Sequence, residues 1–159
     1  MTKLQKQFGI LYFCIKYQRK LTTKETYKHS IPIQIRFSDI DALSHVNNSF
    51  HAQYYDVGRI NYFQEVMKQK IEWSNIVVVI VHIDIDFISP ILQGDNIYVE
   101  TKFFSFGKKS MKMHQQLIEK TTGITKSKCT TILSGYDNKA NISAIIPENF
   151  KKKFLAFEN

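Results

Sequence analysis

Residues 39–49 read Asp-Ile-Asp-Ala-Leu-Ser-His-Val-Asn-Asn-Ser, which sets Asp39, Asp41 and His45 close together just ahead of a helical pattern. The first backbone N–H groups of a helix have no intrahelical acceptor, and the helix dipole favours negative charge beside them. A carboxylate next to such amides suits chemistry at an acyl carbon. Asp41 can attack the carbonyl carbon or activate a water. The amide of Asn47 or Asn48 can take the oxygen that becomes negative. Each residue also has a plain structural use: Asp39 as a turn former, Asn47, Asn48 and Ser49 as helix caps, His45 as a hydrogen-bonding partner.

The elements that must position these groups follow from periodicity. Ile31, Ile33, Ile35 and Phe37 alternate with polar residues, so a half-buried strand leads into the loop. Residues 49–70 read as a helix. Its expected buried face carries Phe50, Tyr54, Val57, Ile60 or Asn61, and Phe63. From residue 76 the pattern turns β-branched, and four strands follow near residues 76–88, 96–106, 110–121 and 124–136. Gly94-Asp95 and Thr122-Gly123 read as hairpin-like turns, which favours antiparallel pairing. Beyond Pro147 the chain reads as a short basic helix or an irregular end. One helix against a mostly antiparallel sheet is an α+β architecture.

Composition narrows the function classes. The chain has 159 residues, enough for one domain, with 43% hydrophobic and 23% charged residues. Its net charge is +8, but residues 1–30 hold seven Lys or Arg against the single acid Glu25. The basicity therefore belongs to an N-terminal extension, expected to be a solvated tail, and the remaining residues form a single domain, 31–159. Nucleic-acid binding would rest on that extension alone. Cys14 and Cys129 make neither a disulfide framework nor a zinc cluster and fit a reducing, cytoplasmic setting. No apolar run is long enough to span a membrane, and the short apolar stretch 8–15 is followed by Lys16 rather than a cleavage site. His82, Asp84 and Asp86 alternate like metal ligands, but alternation is also what a strand with one solvated face shows.

The strings Arg36-Phe37-Ser38-Asp39-Ile40-Asp41, His45-Val46-Asn47-Asn48, Tyr54-Tyr55-Asp56 and Arg59 resemble the 4-hydroxybenzoyl-CoA thioesterase family of hotdog proteins. The resemblance runs through the apolar run up to Pro90 and the Gly94-Asp95 pair to Gly107-Lys108-Lys109-Ser110, covering about residues 31–138. It implies an antiparallel sheet of five to six strands wrapped around one long helix, in a homodimer or homotetramer with the active site between subunits. It implies hydrolysis of an acyl-CoA, with Asp41 as the catalytic carboxylate and His45 orienting the loop or the water. The oxyanion amide falls at Asn48 counted from Asp41 and at Asn47 counted back from Arg59. Lys108 and Lys109, with Ser110 closing their turn, are implied to hold the coenzyme phosphates. No cofactor is implied, coenzyme A being part of the substrate. An acyl carrier protein is the alternative carrier, and a non-catalytic acyl-CoA binding protein the alternative function. A hotdog hydratase would need an Asp-x-Asn-Pro-x-His-like string, and no such Pro is present.

Overall fold

The computed structural model describes residues 25–68 and 78–159. Cys14, the stretch 8–15 and the start of the apolar run at Ile76 and Val77 lie outside them. The elements in chain order are β1 (His29–Pro32), α1 (Asn48–Met67), β2 (Val78–Phe87), β3 (Ile97–Phe106), β4 (Ser110–Glu119), β5 (Ile124–Asp137), β6 (Ile142–Ser143) and α2 (Glu148–Glu158). The tail beyond Pro147 is therefore a regular helix. Folded structure also begins before Ser30: His29 opens β1, and Glu25 pairs with His114 at 3.0 Å.

The sheet runs β1-β3-β4-β5-β2, antiparallel throughout, with β6 added beside β5. Thr122-Gly123 closes the β4–β5 hairpin, with Gly123 at φ 72, where a side chain would be strained. The Gly94-Asp95 turn departs from its expected role. It does not join paired strands, because β2 pairs with β5 on the far side of the sheet, and the chain crosses the end of the sheet to begin β3. The first strand is also shorter than its alternation implies. Its ladder to β3 ends at Pro32, and beyond the Ile33 N–H bond to the Ile97 carbonyl the chain leaves the sheet towards the loop. Ile33 and Ile35 still pack against the core, which preserves their alternation.

Helix α1 lies in the concave face of the sheet, but on a different side from the one its apolar residues mark. Its buried residues are His51, Tyr54, Tyr55, Gly58, Arg59, Tyr62 and Val66. Val57 is 50% exposed and Ile60 37%; Asn61 is exposed and Phe63 only half-buried. The seam against the sheet is made of aromatic and polar side chains that find partners there. Gln115 Nε2 donates to the Tyr55 carbonyl at 2.9 Å and to Thr101 Oγ1 at 3.1 Å. Arg59 Nη2 donates to Thr131 Oγ1 at 3.3 Å. Counting apolar residues cannot register such a seam, since a buried polar group is stable only when paired.

Two apolar clusters flank it. One gathers Val46, Tyr54, Tyr55, Ile91, Ile97, Val99, Leu117 and Cys129 at the loop end. The other, at the far end, packs Tyr62, Phe103, Met111 and Met113 under α2 through Phe150 and Phe154. The result is an α+β hotdog architecture, one long helix wrapped by an antiparallel sheet.

Candidate active site

The loop between β1 and α1 is built on Asp39. A 3₁₀ turn at Phe37–Asp39 buries this carboxylate completely. Asp39 Oδ2 accepts from Tyr54 Oη at 2.6 Å and from the Arg36 N–H at 2.9 Å. Burial alone would push the carboxyl up. These donors and the Arg36 guanidinium outweigh it and hold Asp39 below the usual carboxylate range. Asp39 is thus an anionic peg for the loop, with no face open to a substrate.

Beyond the peg the chain doubles back tightly. The Asp41 N–H donates to the His45 carbonyl at 2.9 Å, the Ser44 N–H to the Asp41 carbonyl at 3.0 Å, and Ser44 takes φ 64. Asp41 Oδ1 accepts the Leu43 N–H at 2.8 Å. The Val46 N–H then pins the loop to the Ile91 carbonyl at 2.8 Å. This doubling brings Asp41 Oδ2 within 3.5 Å of His45 Nδ1, with the Asp41 side chain 24% exposed. Asp41 is therefore held by its backbone and by both carboxylate oxygens, one on the Leu43 N–H and one facing His45, with part of the side chain still exposed.

Helix α1 begins one turn further on, and its first amides differ in availability. Asn47 is the cap: its Oδ1 accepts from Ser49 N at 3.0 Å, and its carbonyl accepts the Phe50 N–H at 2.9 Å. The Asn47 N–H is itself given to the Asp39 carbonyl at 2.9 Å. The Asn48 N–H has no acceptor among the described residues. Of the two expected oxyanion donors, Asn47 is spent on the loop and Asn48 is open. The reason is geometric, since the peg at Asp39 turns its own carbonyl onto the capping residue.

Inside this first turn sits a group that periodicity did not single out. His51 is 2% exposed, its Nδ1 lies 2.9 Å from Ser127 Oγ, and its ring meets Phe87 edge-on at 5.0 Å. Tyr55 Oη lies 2.6 Å from the same Ser127 Oγ. Burial, and then the charge of His45, push His51 down to about 4, so its ring is neutral near neutral pH. The spacing of Asn48, His51 and Tyr55 at three and four residues was a readable signal of a shared face. Ser127, on β5, was not readable from it.

Lys108, Lys109 and Ser110 are not brought to Asp41 within one chain. Their turn joins β3 to β4 at the end where Phe106 lies, whereas the Asp41 loop lies beyond Ile97 at the other end of β3. Ten residues of strand separate the two by about 30 Å. Lys109 Nζ is also engaged, donating to the Ser143 carbonyl at 3.1 Å and to its Oγ at 3.2 Å. Lys126, nearer the loop, is committed to Asp95 at 2.7 Å and the Pro90 carbonyl. His82, Asp84 and Asp86 lie exposed on β2, and no group of three His, Cys, Asp or Glu side chains among the described residues is placed to hold a metal.

Comparison with known proteins agrees with this architecture. A thioesterase from Thermus thermophilus, solved with coenzyme A and zinc, is 27% identical, with a TM-score of 0.75 over 84% of this chain and 96% of that one. A predicted thioesterase from Bacillus stearothermophilus is 18% identical, with a TM-score of 0.74 over 81% and 95% of the two chains. A 1,4-dihydroxy-2-naphthoyl-CoA thioesterase from Synechocystis is 14% identical, with a TM-score of 0.71 over 82% and 98%. Among curated proteins none matches. The pattern of one family, described as the thioesterase-like superfamily, matches residues 35–154, which span the Asp39 peg, the Asp41 loop, α1 and the whole sheet from β2 onward. The chain belongs to the thioesterase-like superfamily.

Proposed function

We propose that this protein is an acyl-CoA thioesterase in which Asp41 attacks the thioester carbonyl carbon or activates the water that does. The observation that carries this reading is the partly exposed Asp41 carboxylate, 3.5 Å from His45 in the loop that leads to the start of α1, where the Asn48 amide has no acceptor among the described residues. When water attacks, Asp41 takes its proton, a C–O bond forms as the C–S bond breaks, and that proton passes on to the leaving thiolate. When Asp41 attacks, loss of the thiolate leaves a mixed anhydride on Asp41, and water then cleaves it to release the acid, restore Asp41 and supply the thiolate's proton. As the carbonyl oxygen gains charge, the Asn48 N–H and the helix dipole stabilise it. His45, 3.5 Å from Asp41, orients the carboxylate across the tight loop.

The groups that hold the coenzyme phosphates come from the other side of a dimer. Strand β2 has no strand on its outer edge among the described residues, and its Ile80, Val81, Ile83 and Phe87 are exposed. A long apolar edge of this kind calls for pairing. Antiparallel pairing of β2 with its copy about a two-fold axis inverts the second sheet. That places the copy's Lys108–Ser110 turn at the end where Asp41 lies.

The test is release of the coenzyme thiol by purified protein from short-chain, long-chain and aromatic acyl-CoA esters. Turnover of at least one ester that is abolished in Asp41→Asn supports the reading. Binding of these esters without turnover would make the protein an acyl-CoA binder instead.

A further inference from the structure

The buried chain Tyr55–Ser127–His51 has a direction, and the direction assigns His51 a role. Tyr55 is fully buried, and the oxygen available to its hydroxyl hydrogen among the described side chains is Ser127 Oγ, 2.6 Å away. A buried hydroxyl left without an acceptor is costly, so Tyr55 donates to Ser127. Ser127, 0% exposed, then has its own hydrogen to place, and His51 Nδ1 stands 2.9 Å from it as acceptor. A neutral imidazole that accepts at Nδ1 carries its proton on Nε2. The neutral state is the one His51 holds, because burial disfavours the imidazolium. His51 Nε2–H is thus a fixed donor without a partner among the described residues, on a residue only 2% exposed.

Its place in the first turn puts it at the same end of α1 as the Asn48 amide. Asn48 and His51 lie three residues apart on one face of the first helical turn. Side chains on a helix tilt back towards its N-terminus, which carries the imidazole towards the open amide rather than away from it. Phe87, from the end of β2, closes the other side of the ring at 5.0 Å. The charge of His45, the residue facing Asp41, reaches this ring as well.

We propose that His51 is a second oxyanion donor, its Nε2–H bonding the thioester carbonyl oxygen alongside the Asn48 N–H. Ser127 and Tyr55 are positioning residues that hold the ring in the donating tautomer. The inference rests on the thioesterase reading above and adds to it a residue that acts on the reacting oxygen. A neutral donor suits that place: it stabilises the developing charge without forming an ion pair with Asp41 that would blunt the carboxylate.

The experiment uses the full-length protein with hexanoyl-CoA and benzoyl-CoA as probes. His51→Phe keeps a planar ring and removes the donor; His51→Gln restores an N–H near the Nε2 position. The expected result is a fall in kcat of about 10² for His51→Phe, as for loss of one oxyanion donor. KM should stay within about two-fold, and His51→Gln should recover at least about ten-fold of the lost kcat. A second readout needs no turnover. Nitrogen-15 NMR of the imidazole should show the Nε2–H tautomer in the wild type and a mixture in Ser127→Ala. An active wild type with His51→Phe at full kcat, or a wild-type ring protonated on Nδ1, overturns the donor role and leaves the thioesterase reading standing. A wild type that hydrolyses neither of these esters nor palmitoyl-CoA overturns both. If His51→Phe does not fold, His51→Gln near wild-type kcat together with the Nε2–H signal upholds the assignment, and the Nδ1–H signal refutes it.

Discussion

Gly58 of α1 lies so close to Val99 of β3 that a Cβ built on it would fall 2.6 Å from one Val99 methyl and 2.7 Å from the other. This contact sets how deeply the helix sits in the sheet, and therefore where its N-terminus meets the loop. Glycine inside a helix costs roughly 1 kcal/mol relative to alanine. Here that cost is offset by close packing. Gly58→Ala should therefore destabilise the protein, by about 1–3 kcal/mol, against its intrinsic helix preference. Chemical denaturation at pH 7 measures it, and an unchanged or raised midpoint would mean that the sheet yields freely.

Asp41→Asn should lower turnover of any ester the wild type hydrolyses by at least about 10², with the melting temperature little changed, because Asp41 is partly exposed. Near-normal turnover would remove Asp41 from the mechanism. Asp39→Asn is a poor control, since Asp39 is wholly buried and holds the loop. Its expected effect is loss of stability, seen as a lower melting temperature.

Tyr54→Phe deletes a donor to that buried carboxylate and should cost about 1.5–3 kcal/mol at neutral pH. Asp39 is held below its ordinary range in the folded state, so its contribution is complete above about pH 4 and is lost as pH falls through the folded-state value. The gap between wild type and Tyr54→Phe should accordingly narrow below about pH 4. Urea titrations at pH 7 and pH 3 make the comparison, and a constant gap would exclude charge stabilisation.

Phe154 is fully buried in the far cluster, with Tyr62, Phe63 and Phe103 around its ring. Phe154→Ala should cost about 3–5 kcal/mol. Phe63, half-buried, should cost less when truncated, although its place in the apolar pattern suggests a fully packed residue. Thermal melts of the two variants give the order, and equal losses would argue that Phe63 is covered by something outside this chain.

Ile83→Lys on the open edge of β2 should leave a monomer by light scattering and sharply reduce turnover, because a lone chain keeps its Lys108 turn far from Asp41. A wild type that is monomeric and active would refute the shared site.

The loop that carries Asp41 and His45, and the helix start behind it, were legible because they are local: turn formers, caps and a change of period all lie within a dozen residues of one another. The antiparallel hairpin at Thr122-Gly123 was legible for the same reason, whereas the Gly94-Asp95 turn read as a hairpin and joins strands that do not pair. The partner of β2 was not, since pairing with β5 joins residues some fifty positions apart and leaves no mark in local periodicity.

The sequence by itself determined which residues could do chemistry and that one long helix would meet an antiparallel sheet, because period and turn chemistry act over a few residues. Tertiary structure alone decided which of them are free to act. It buried Asp39 and left Asp41 partly exposed, spent the Asn47 amide and spared that of Asn48, and turned α1 so that His51 meets Ser127 while Val57 faces out. These outcomes depend on which hydrogen-bonding groups lack water once the layers close, and that is settled only when distant segments come into contact.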